Sequence, residues 1–172
     1  LSDGVVTLGP WSPGDIDWVH ETCQDPEIQA WTLVPAPYGR EHAQEFVNVI
    51  APESFSARIG THLCICDAAS SRRLGAVGLE ISDPACAVGE VGYWLRAAER
   101  GRGFASRAVG LLGDWALGAM GLERLELHIL DGNEASKRVA LRCGYELEGL
   151  LHSREQRGSI HHDVALFARL RS

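Results

Sequence analysis

Six consecutive residues, Arg100-Gly101-Arg102-Gly103-Phe104-Ala105, combine the residue types best suited to holding a ligand. Glycines let a backbone approach a ligand closely and take positive φ. The segment follows the apolar strand pattern Val88 to Leu95 and precedes an amphipathic helix pattern. Its amides therefore open a helix N-terminus, where free N–H groups and the helix dipole attract an anion. A diphosphate fits such a turn. Two other phosphate loops do not fit: no lysine followed by Ser or Thr stands at Walker spacing, and Ser106 occupies the place of the third glycine of a dinucleotide fingerprint. On its own, the segment also reads as an ordinary tight connection between strand and helix.

The other reactive side chains offer less. Cys23, Cys64, Cys66, Cys86 and Cys143 are odd in number and irregularly spaced. Cys64-Ile65-Cys66 has a single intervening residue, where a zinc knuckle uses about two to four. On a strand the two side chains share a face and read as small buried hydrophobes, which predicts a reducing, cytoplasmic setting. Cys143 ends an apolar helical stripe at Gly144 and reads as packing, with no histidine and acid at a spacing that would activate it. His161 and His162 are adjacent, so on a strand they face opposite ways and no metal site is expected.

The elements that must hold the turn in place follow from periodicity. Val5 to Leu8 is a first strand, and Ser12-Pro13-Gly14-Asp15 offers helix-start chemistry. A short helix carrying Ile16, Val19 and His20 is expected to stop at Asp25-Pro26. Pro35 to Gly39 is a rigid extended loop. Glu41 to Ile50 reads as a helix with Ala43, Phe46, Val47 and Ile50 on one stripe. His62 to Asp67 and Leu74 to Ile81 are two strands of an antiparallel hairpin. After the glycine-rich turn, Ala105, Ala108, Val109, Leu112, Trp115, Ala116 and Ala119 recur at helical spacing, with Gly121 as the C-terminal cap. Arg124 to Leu130 alternates, with Leu125, Leu127 and Ile129 inward. A helix from Glu134 to Cys143 follows, then strands Tyr145 to Leu151 and His162 to Leu170 around a turn near Gly158. Strand, crossover helix and strand require one parallel pair.

At 172 residues the chain fits one domain, 1–172, whose core needs neither disulfide nor metal. Apolar residues are 45% and charged residues 23%, as in an ordinary soluble globular protein. A formal net charge of -7 disfavours nucleic acid and anionic membrane as partners, and mildly favours a cationic substrate. No run approaches the roughly 18 apolar residues of a membrane span, and no signal-peptide pattern opens the chain.

The stretch Val91-Gly92-Tyr93-Trp94-Leu95 followed by Arg100 to Ala105 resembles the acetyl-CoA-binding motif of the GNAT superfamily of N-acetyltransferases. That motif is Gln or Arg, two residues, Gly, one residue, then Gly or Ala; Arg100, Gly103 and Ala105 match it. Asn133-Glu134-Ala135-Ser136, Cys143 to Gly149 and His162 to Leu170 are similar to the branch that acetylates N-terminal alanine or serine of ribosomal proteins, as is Pro35-Ala36-Pro37-Tyr38. The resemblance spans nearly the whole chain and is strong from about Glu90 to Leu170.

It implies an α/β (α+β) fold: a central mixed, mostly antiparallel sheet of six to seven strands, splayed at a parallel pair and flanked by about four helices. It implies acetyl-CoA as cosubstrate, no metal, and transfer of acetyl to a primary amine. A protein N-terminus stands ahead of an antibiotic, polyamine or amino acid as acceptor, and a homodimer is implied. Cosubstrate contacts fall to the backbone of Trp94 and Leu95, to Arg100, Gly101, Arg102, Gly103, Phe104 and Ala105, and to Asn133 and Ser136. Glu155 falls at the general-base position, acting through water, and Ser136 at the position that protonates the leaving sulfur. From the residues alone, Glu155 also reads as an exposed charge among Arg154, Gln156 and Arg157. Ser136 also reads as part of a cap begun by Asn133, and Glu90 or Glu80 could serve as base. A CoA-binding module without catalysis would keep the turn and need neither Glu155 nor Ser136.

Overall fold

The computed structural model describes residues 1–171. Seven strands form one mixed sheet: β1 Val6–Gly9, β2 Gly60–Asp67, β3 Arg73–Asp83, β4 Val88–Leu95, β5 Arg124–Leu130, β6 Glu146–Arg157 and β7 Ile160–Leu170. Their order is β1-β2-β3-β4-β5-β7-β6. All neighbours pair antiparallel except β4 and β5, whose crossover runs through the helix Phe104–Gly118. The helices are α1 Ile16–Thr22, α2 Pro26–Trp31, α3 Arg40–Glu45, α4 Ala51–Ser56, α5 Phe104–Gly118 and α6 Glu134–Arg142. A π-helical turn, Phe46–Ile50, joins α3 to α4.

Helix α5 covers one face of the sheet. Ala108, Val109, Leu112 and Ala116 are fully buried there against Leu74, Leu79, Leu125 and their neighbours. The alanines at this spacing let the helix lie close to the strands. Trp11, Val19, Ala43 and Val47 cover the other face, over Cys64 and Ala76. Leu125 has no exposed surface. Leu125→Ala is therefore expected to cost about 2–5 kcal/mol of stability, read from the midpoint of urea unfolding at unchanged slope.

The helices depart from the sequence expectation in two places. Asp25-Pro26 starts a helix as well as ending one. The Asp25 carboxylate accepts the Glu27 N–H at 2.8 Å, and Pro26 sits at the first helical position, where its missing N–H is not needed. The expected helix to Ile50 continues to Ser56, and the π-helical turn rotates its apolar stripe so that Ile50 is 41% exposed while Ala51 is buried. The helical bodies beside the sheet therefore exceed the expected four.

Candidate functional site

Strands β4 and β5 pair over three residues each, Val88–Glu90 with Arg124–Glu126, and then part. On its other side β4 stays paired with β3 as far as Leu95. The Arg96 N–H donates to the Leu74 carbonyl at 2.9 Å, which sets the phase of that ladder. Antiparallel alternation then turns the Trp94 backbone toward β3, and turns the N–H groups of Tyr93 and Leu95 into the opening between β4 and β5. The result is a stretch of sheet edge inside the protein, able to pair with an extended, amide-bearing ligand.

A cleft of about 510 Å³ lies at this opening. Trp94, Leu95, Arg100, Gly101, Gly103, Ala105, Asn133 and Ser136 all line it. Arg102 and Phe104 do not: Phe104 is buried in the core, and Arg102 lies over its ring while donating to Glu99 at 2.7 Å. Sequence reading missed a third wall, Ile28, Trp31 and Thr32 around the end of α2. Arg100 ties that wall to the turn. Its guanidinium reaches Asp25 at 2.6 Å and also Glu27, while its Nε donates to the Leu95 carbonyl at 3.2 Å.

Gly101 and Gly103 have φ of 74° and 82°, in the left-handed region. Gly103 is the N-cap of α5, with no side chain capping the helix. The Arg107 N–H, bonded to the Gly103 carbonyl, is the first in the helix with a backbone partner. The amides ahead of it are left to a ligand, at the positive end of a 15-residue helix. A cradle of this kind fits a diphosphate, and the open strand edge fits the two amides of pantetheine, so the residues present suit CoA.

Helix α6 forms the facing wall. Asn133 caps it, its carboxamide oxygen accepting the Ser136 N–H at 3.1 Å. The Ser136 hydroxyl lies 2.7 Å from the Tyr93 hydroxyl. Burial raises the Tyr93 pKa to about 12, so the phenol keeps its proton at neutral pH. Tyr93 is thus both core packing and a polar partner within the cleft. Cys143 packs against the core and donates to the Ser106 carbonyl at 3.2 Å, and burial holds its thiol protonated.

Glu155 lies outside the cleft lining. A bulge in β6 between Leu151 and Glu155, with Ser153 at a φ of 50°, redirects the strand before Glu155 pairs with His162. The Glu155 carboxylate accepts from Arg157 at 2.6 Å, and Arg157 also donates to the carbonyls of Gln29 and Ala30 at the end of α2. Glu155 is therefore anchored beside the α2 wall, with one oxygen uncommitted to Arg157. Glu90 occupies the last position of the parallel pair, 3.3 Å from His128. Burial raises its pKa and the neighbouring carboxylates Glu80 and Glu126 push the same way, against the opposing pull of His128.

Comparison with known proteins agrees with this geometry. A family model described as an acetyltransferase (GNAT) domain matches residues 6–146. The ribosomal-protein-serine acetyltransferase of Escherichia coli (strain K12) is 32% identical over 97 residues, 56% of this chain and 54% of that protein, so the match spans about half its length. Among solved structures, the ribosomal L7/L12 α-N-protein acetyltransferase RimL in complex with coenzyme A superposes with a TM-score of 0.87 at 20% identity, covering 96% of this chain and 94% of that one. Spermidine N-acetyltransferase from Vibrio cholerae, in complex with CoA and spermine, gives 0.84 at 18% identity, covering 98% and 97%. At these identities the structural likeness is one of fold.

Proposed function

The chain belongs to the GNAT acetyltransferase family, and from that premise we propose that it transfers acetyl from acetyl-CoA to a primary amine, a protein N-terminal α-amine being the acceptor. The observation that carries this reading is the opened edge of β4 facing Ser136 across the cleft. Pantetheine laid along that edge brings the thioester to the end of β4. The Leu95 N–H then meets the carbonyl oxygen as it gains charge, and a preorganised donor of this kind is worth about 2.7–4 kcal/mol.

The acceptor must attack as a neutral amine. A protein α-amino group has a pKa of about 7.7–8.0 against about 10.4 for lysine, so it needs only modest help at neutral pH. Glu155 supplies that help as general base through water: it takes the proton that leaves the attacking nitrogen. As the tetrahedral intermediate collapses, the C–S bond breaks and the Ser136 hydroxyl gives its proton to sulfur, solvent restoring the serine proton before the next turnover. Tyr93 donates its own O–H to the Ser136 oxygen, which leaves the serine proton free to point at the thioester. Ser136→Ala is expected to lower kcat by about 10–10²-fold, a larger effect than on CoA affinity, since a thiolate is a tolerable leaving group and general acid help is worth least there.

The acceptor is tested by following thiol release with three amines: peptides with free N-terminal alanine or serine, the same peptides N-terminally blocked but containing lysine, and spermidine. Turnover confined to free N-termini is expected. Turnover with spermidine alone would make the protein a polyamine acetyltransferase, the acceptor of one structural neighbour. Tight CoA binding without turnover of any amine would leave a binding module.

A further inference from the structure

In this acidic chain eleven of the 16 lysines and arginines are paired, and of the other five, Arg58, Arg96, Arg138, Arg142 and Arg154, only Arg138 and Arg142 line the cleft. Arg40, Arg72, Arg73, Arg100, Arg102, Arg107, Arg124, Lys137, Arg157, Arg169 and Arg171 each meet a carboxylate. Among the described residues, Arg138 and Arg142 make neither a salt bridge nor a side-chain hydrogen bond, and both line the CoA cleft. Their positions are four apart on α6, so the two like charges lie on one face, which disfavours the helix on its own. The acid one turn before Arg138 is Glu134, and it is bonded to Lys137 at 2.9 Å instead. Two unpaired guanidinium groups facing a cleft that carries a diphosphate cradle indicate a further anion.

We propose that Arg138 and Arg142 bind the 3′-phosphate of CoA, a reading that rests on the assignment of this cleft to acetyl-CoA. The cradle amides lie on α5, and the Cys143 thiol touches the Ser106 carbonyl in the first turn of that helix. The C-terminal end of α6 therefore stands beside the diphosphate seat. A phosphate on the ribose next to that diphosphate falls within reach of a guanidinium pair on this end of α6, and paired arginines suit a dianionic phosphate better than point charges do.

The test is calorimetric titration of the full chain with CoA and with dephospho-CoA, for the wild type, Arg138→Ala/Arg142→Ala and Arg138→Lys/Arg142→Lys. Wild type is expected to bind CoA about tenfold or more tighter than dephospho-CoA. The double alanine variant should lose that preference while binding dephospho-CoA as wild type does, and the double lysine variant should recover part of it. Equal wild-type affinity for the two ligands would overturn the assignment, as would an equal loss of both in the alanine variant, which would put the arginines on the diphosphate. Failure of wild type to bind either ligand would instead overturn the reading of the cleft itself.

Discussion

Glu155→Gln is expected to lower kcat by roughly 10²–10⁴-fold, with little change in affinity for acetyl-CoA. The amide keeps the size of the side chain, and its oxygen can still accept the Arg157 guanidinium bond, so the β6 bulge and the α2 wall stay in place. What is lost is the proton acceptor. The defect should be largest at low pH, where the acceptor amine is mostly protonated and most needs help. It should shrink above about pH 8, where an α-amine is neutral without assistance. The measurement is kcat and kcat/KM from thiol release between pH 6 and 9 on an N-terminal peptide. CoA affinity is titrated separately, so that a binding defect is not read as a chemical one.

Glu90 is the natural control. Its buried position raises its pKa, a property expected of a base that must work near neutral pH. Its position on β4 points elsewhere: Glu90 marks the last residue before the strands part, five positions ahead of Leu95 and at the closed end of the opening. Glu90→Gln should therefore leave kcat within a fewfold of wild type. A large loss in Glu90→Gln beside normal turnover in Glu155→Gln would transfer the role to Glu90.

Much of the scaffold was legible because it depends on local pattern. Val88–Leu95 has the bounds of its apolar pattern, Arg124–Leu130 those of its alternation, and α5 begins where the glycines end. The third wall was not legible, because Asp-Pro is both a helix stop and a helix start, and what brings the second helix to the turn is the pairing of Asp25 with Arg100, 75 residues away. The same holds for Tyr93. The sequence does not say which of Tyr93 and Trp94 packs on the core; the Tyr93 ring does, and its hydroxyl finds Ser136 across 43 residues of chain. The unpaired state of Arg138 and Arg142 is likewise a property of the folded charge map. Composition counts a charge but does not say whether it has a partner.

Gly103→Val is expected to weaken CoA binding by at least about tenfold while leaving the chain folded. Two costs combine at this position. The backbone there has a φ of 82°, which a β-branched residue adopts only under strain of about 1–3 kcal/mol. Relaxing that strain would rotate the Phe104 and Ala105 amides away from the diphosphate. A Cβ at Gly103 would also meet no protein atom within 4 Å, so the valine projects into the space where the ligand lies. Gly110 separates the two costs from a general effect on α5. It too has open space for a Cβ, yet it lies inside the helix with ordinary φ, so Gly110→Ala should stabilise the fold by about 0.5–1 kcal/mol and leave CoA affinity alone. Titration of both variants with CoA, alongside urea unfolding, decides the matter. Unchanged affinity in folded Gly103→Val would remove the turn from the site and leave the β4 edge as the sole support for the cosubstrate.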